Sequence, residues 1–183
     1  MSHGQFSGNP TTEWMEEVDP DRGMKLLAEF SFVDPDGRKW VAPKDSVVNG
    51  ASIPEALWSS VGSPYTGDYR RASIVHDIAC DTPTVNRAEA DKMFYFACLA
   101  GGCSKPQAKL LYAGVRIGAW RSSLLPEGYV PEAAALPEPK LPSQHTIDAL
   151  VVRAKYTLIA QKLAETPDDF EAIEAAVDSE IAR

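Results

Sequence analysis

Between Asp68 and Trp120 two strong stops, Thr82-Pro83-Thr84 and Gly101-Gly102, cut the chain into three stretches of helical periodicity. Asp68 can cap the first stretch. Asn86, with Glu89 three residues on, opens the second, and Ser104 with Pro106 opens the third, which runs to about Trp120. Connections this short bring successive helices together as antiparallel neighbours. Upstream, residues 27–33 and 39–42 flank Asp34-Pro-Asp-Gly37, which is hairpin punctuation, and Val47-Val48 offers a further short extended piece. The expected fold is therefore α+β and helix-rich: an N-terminal β-hairpin packed on a bundle of three or more helices, with a C-terminal helical extension.

The boundaries follow from shifts in composition. Residues 1–24 are polar and read as an N-terminal arm, and residues 25–123 form the core domain. Residues 124–142 hold five prolines and read as a linker or strap. Residues 143–183 read as a docking segment of two helices. The first runs from Ser143 to about Glu165, and the second opens at Thr166-Pro167 with Phe170, Ile173, Val177 and Ile181 at helical spacing. Two short helices bury little by themselves, so they are expected to dock on the core or on a protein partner.

A net charge of −8 argues against a nucleic-acid binder and against adsorption to an anionic membrane by charge alone. No apolar run approaches the ~20 residues of a transmembrane helix, and the first residues lack the pattern of a signal peptide. The three cysteines, Cys80, Cys98 and Cys103, are odd in number and read as small buried hydrophobes in a reducing compartment.

Within the first helical stretch stands a polar pair, His76-Asp77. Tyr69, Ser73, His76 and Cys80 share one helical face, while Asp77 lies about 100° away round the helix. Asp91 sits on the second stretch in a stripe with Ala88, Phe94 and Cys98, so antiparallel packing turns it toward His76. Two readings fit this trio. In one, Asp91 orients His76 as a general base for water, while Asp77 and carbonyls of the loop from Gly62 to Gly67 hold a calcium-type cation that stabilises an oxyanion. In the other, Asp91 pairs with Arg116, His76 satisfies a backbone carbonyl, and the set is a buried strut. Tyr112 and Arg116, four apart on the third helix, read as structural or anchoring groups. Ser52 is explained by a capping box with Glu55, and no G-x-S-x-G nucleophile elbow is present.

The ordered set Trp40-Val-Ala-Pro43, Asn49-Gly-Ala-Ser-Ile-Pro54, Trp58, Ala72-Ser-Ile-Val-His-Asp77, Ala90-Asp91-Lys-Met-Phe94 and Tyr112-Ala-Gly-Val-Arg-Ile-Gly118 resembles a small domain family of phages, prophages and bacteria, itself of unknown function. The resemblance spans about residues 27–120. That family usually carries aspartate where this chain has Asn49, which implies a weakened site if that carboxylate is catalytic or binds metal. A looser resemblance is to phospholipase A2-type enzymes, in which a glycine-containing loop precedes a His-Asp helix and an antiparallel helix bearing Asp. It implies that His76 is the water-activating base, Asp77 a calcium ligand and Asp91 the orienting carboxylate. The disulfide scaffold of those enzymes is missing here, and the loop is short of glycines.

The functions implied are a phage-type hydrolase of esters or lipids, calcium-assisted, or a non-catalytic virion or tail component. The second would dock on protein partners through residues 124–183. Either places the protein in a virion or the host cytoplasm.

Overall fold

The computed structural model describes residues 3–16, 23–62, 67–124 and 147–183. Its β part is two small antiparallel sheets. In the first, β1 (Gln5–Phe6), β4 (Phe30–Val33) and β5 (Lys39–Ala42) lie in the order β1-β4-β5. In the second, β2 (Thr12–Trp14), β3 (Met24–Leu26) and β6 (Val47–Val48) lie in the order β2-β3-β6. The predicted hairpin is β4-β5, with Phe32 opposite Trp40. Asp34 builds its turn: Oδ1 accepts the amides of Asp36 and Arg38, and Oδ2 accepts Trp40 Nε1–H at 2.9 Å.

The N-terminal segment adds a strand to each sheet. Gln5 and Phe6 pair with Val33 and Phe32, and Phe6 stacks on Phe30 with ring centroids 5.6 Å apart. Thr12–Trp14 pairs with β3 in the same antiparallel sense.

The helical part opens with a single 3₁₀ turn, Glu55–Leu57, that runs into α1 (Trp58–Val61). The three expected helices follow as α2 (Arg70–Asp81), α3 (Arg87–Gly101) and α4 (Lys105–Ser123). The Asn86 side chain accepts the Ala88 amide and Ser104 accepts that of Gln107, as their spacing predicts. Two expected caps are corrected. Tyr69, not Asp68, holds the N-cap position of α2, and it makes no side-chain cap bond. Ser52 makes no cap bond either, because the chain does not turn until Pro54, the N-cap residue of the 3₁₀ turn. At the end of α3, Gly102 takes φ +114° and the Cys103 amide bonds the Cys98 carbonyl, which closes the helix in a left-handed cap.

Beyond residue 146 come α5 (Ile147–Glu165) and α6 (Phe170–Ile181), the latter capped by Asp169 rather than starting at Thr166. The helix start expected at Ser143 and nearly all of the proline-rich linker fall outside the described residues. The two C-terminal helices dock on the core. Phe170 lies against Tyr95, Phe96 and Tyr112 with centroids 5.3, 5.5 and 5.3 Å apart, and Arg153 Nε donates to the Ala56 carbonyl. Ile159, Ile173 and Val177 are fully buried with Phe94, Leu111 and Ile117 of the bundle, each such side chain contributing roughly 1.5–3 kcal/mol. The fold is α+β and helix-rich, as expected. No described helix is long and apolar enough to cross a membrane.

Candidate functional site

The short connection between α2 and α3 places His76 across from Asp91. His76 Nε2 and Asp91 Oδ1 are 2.7 Å apart, and both side chains have no solvent exposure. Phe94, one turn beyond Asp91, covers the imidazole with ring centroids 4.7 Å apart. Two cations close round the carboxylate. Arg87, one turn before it on α3, donates from Nε to Oδ1 at 3.1 Å, and Arg116 of α4 brings Nη1 to 3.5 Å from Oδ2. Arg116 also donates from Nη2 to Asp178 Oδ1 of α6 at 2.7 Å. A single buried carboxylate thus ties α2, α3, α4 and, through Arg116, α6.

Burial is the largest influence on each member. It pushes His76 below its ordinary pKa of 6.5 against the smaller pull of Asp91, so the imidazole is neutral. Burial would raise Asp91, but the His76 hydrogen bond and the charges of His76, Arg87 and Arg116 together outweigh it and hold the carboxyl below its usual range. A neutral imidazole facing an ionised carboxylate must carry its proton on Nε2, which leaves Nδ1 as the lone-pair nitrogen. Cys80 Sγ lies 3.7 Å from Nδ1 and 3.5 Å from Nε2. A sulfur nearly equidistant from both nitrogens lies on neither lone-pair axis. Burial also lifts the Cys80 thiol to about 12. Cys80 is therefore a thiol packed on an imidazole, and the thiolate of a Cys-His dyad is not formed.

His76, Cys80 and Asp91 do bring ligand atoms within 4.8 Å of one another. That nitrogen, sulfur and oxygen set suits a zinc-type ion better than calcium, which takes oxygen ligands. Asp77, the expected calcium ligand, is outside the cluster. It is 5% exposed, and its Oδ2 accepts the Asn49 amide at 2.7 Å, which pins α2 to the segment after β6. Of the loop expected to help it, Gly62 and Gly67 are described and residues 63–66 are not.

The other predicted residues fall elsewhere. Asn49 and Ser52 line a cleft of about 280 Å³ with Trp58 and Arg121, which does not include Asp77. The Ser52 carbonyl abuts Gly118, where no Cβ would fit. Tyr112 is fully buried among Tyr95 and Phe170, and its hydroxyl has no hydrogen-bond partner among the described residues. Neither His76 nor Asp91 lines the Asn49 cleft or the two others, of about 610 and 150 Å³. Sequence reasoning missed Arg87, although its four-residue spacing from Asp91 signals an ion pair on one helix face. It also missed Asp178, which lies 62 residues from Arg116 and gives no local signal.

The family model described as "Protein of unknown function (DUF1353)" matches residues 24–115, a span that holds His76, Asp77 and Asp91. "Uncharacterized protein y4jT" of Sinorhizobium fredii (strain NBRC 101917 / NGR234) is 38% identical over 112 residues, covering 61% of this chain and 33% of that protein. "Uncharacterized protein y4iH" of the same organism is 41% identical over 100 residues, covering 54% of this chain and 42% of that protein. The chain thus spans between a third and about two-fifths of the length of these curated relatives. No solved structure matches it. The match bears out the resemblance to a family of unknown function and adds nothing on a phage origin or a phospholipase. With just over half of its length inside the family model, the chain belongs to the DUF1353 family.

Proposed function

We propose that this chain is a non-catalytic structural or assembly module and that His76–Asp91 is its buried strut. One observation carries the reading: both side chains are fully sealed, and Asp91 is engaged by His76, Arg87 and Arg116 within the chain. A general base must present its free nitrogen to water, and here the whole His76 side chain, Nδ1 included, has no solvent exposure. Two further points support an assembly role in a virion, a tail or another larger structure. The matching unit recurs inside longer proteins. The outer side of α5 also keeps Leu150, Val151 and Leu158 exposed, a surface suited to a protein partner.

The hydrolytic reading keeps one specific support. The 2.7 Å contact fixes the imidazole tautomer as an orienting carboxylate does in a His-Asp base. It requires α2 and α3 to part so that water meets Nδ1.

His76→Ala separates the two. The strut predicts a stability loss of about 3–5 kcal/mol, with no ester or phospholipid hydrolysis by either protein, with or without calcium. Hydrolysis by the wild type that the substitution abolishes, at a stability within about 1 kcal/mol, would refute the strut.

A further inference from the structure

We propose that the cleft between β2 and the start of α2 binds a phosphorylated, hydroxylated ring compound, a nucleoside monophosphate or a sugar phosphate. The inference is independent of the buried strut. The cleft holds about 610 Å³, within the size of small-molecule sites, roughly 300–1,000 Å³. One wall presents Asn9, Thr12 and Trp14, and the other Asp68, Arg70 and Arg71.

Charge points to the ligand class. In a chain of net charge −8, Lys25, Arg38, Lys39, Lys92, Lys105 and Arg121 are each paired with a carboxylate. Arg70 and Arg71, adjacent in this cleft, have no carboxylate partner among the described residues. The Arg71 guanidinium lies 4.6 Å over the Phe6 ring, which fixes its position without neutralising it. Two such arginines offer the planar donors that bind phosphate oxygens.

Trp14 is 68% exposed, the most exposed of the large apolar side chains, and it lines the same space. An indole beside a polar cleft provides a stacking face for a sugar or a base. Asp68 opposes a bare anion, but with Asn9 and Thr12 it supplies hydrogen-bond partners for ring hydroxyls. A ligand carrying both phosphate and hydroxyls uses all of these groups, and inorganic phosphate uses only part of them.

The test is calorimetry on the full chain with adenosine monophosphate, ribose 5-phosphate and inorganic phosphate as probes. Saturable binding of at least one of the two organic phosphates is expected, tighter than that of inorganic phosphate. A preference for adenosine monophosphate places the base on Trp14, and equal affinity places the sugar there. Trp14→Ala and Arg70→Ala, both at open positions, should keep the wild-type circular dichroism and each weaken binding at least about tenfold. Absence of binding by both organic phosphates, equal binding of inorganic phosphate, or affinities unchanged in both variants would overturn the proposal.

Discussion

Acid should unfold this protein through His76 before its carboxylates titrate, and His76→Gln should remove that sensitivity. In the native chain burial holds His76 below its ordinary pKa of 6.5, whereas the unfolded chain takes up a proton as pH falls past 6.5. A group with a depressed native pKa contributes stability that is complete above its unfolded pKa and declines as pH falls below it. The unfolded state binds the extra proton, so unfolding free energy drops by up to about 1.4 kcal/mol per pH unit. The loss therefore begins as pH falls below 6.5 and grows until His76 takes up its own proton in the folded chain. Asp91 acts in a separate, lower window. Its stabilisation is complete above 3.8 and fades as pH falls through its lowered native pKa. The assay is urea unfolding followed by circular dichroism from about pH 7.5 to about pH 5 at fixed ionic strength, with the slope m checked for constancy. Glutamine preserves a donor toward Asp91 but does not titrate, so the wild-type minus variant difference isolates His76. A wild-type stability that stays flat from about pH 7.5 to about pH 5, or an equal decline in the variant, would refute the reasoning.

Two further outcomes follow from the packing. Gly118→Ala places a Cβ against the Ser52 carbonyl, where backbone rather than a yielding side chain is met, and should cost about 1–3 kcal/mol in chemical unfolding. An unchanged stability would show that the α4 contact with the Asn49-to-Pro54 segment is loose. Phe170→Ala removes the ring that joins Tyr95, Phe96 and Tyr112 to α6 and should cost about 2–4 kcal/mol, with α6 becoming the first site of limited proteolysis. Cleavage elsewhere first would show that α6 is held by other contacts.

Local chemistry made much of this fold readable. The Asp34 turn, the Asn86 and Ser104 caps and the Gly101-Gly102 stop each act within a few residues, and each stands where its sequence signal puts it. The stops also set α2 against α3, which is why Asp91 was legible as the partner of His76. Long-range pairing was not. β1 and β2 are two and three residues long and gain their order from β4 and β3, whose sequences say nothing about them. The directions of the site side chains were not legible either. A histidine-aspartate dipeptide invites both residues into one centre, but the helix turns Asp77 toward the Asn49 amide while His76 faces inward. Whether His76 met water or protein depended on Cys80, Phe94 and Arg87 closing round it, and spacing alone does not give that closure.

The central claim is that His76 is sealed, and its reactivity in the native protein tests this directly. Diethylpyrocarbonate labelling near neutral pH, read by peptide mass spectrometry, compares His76 with His3, which is partly exposed on the N-terminal segment. The strut predicts that native protein is modified at His3 and protected at His76, with His76 reacting only after urea unfolding. Modification of native His76 at the rate of His3 would contradict it and return the pair to the catalytic reading.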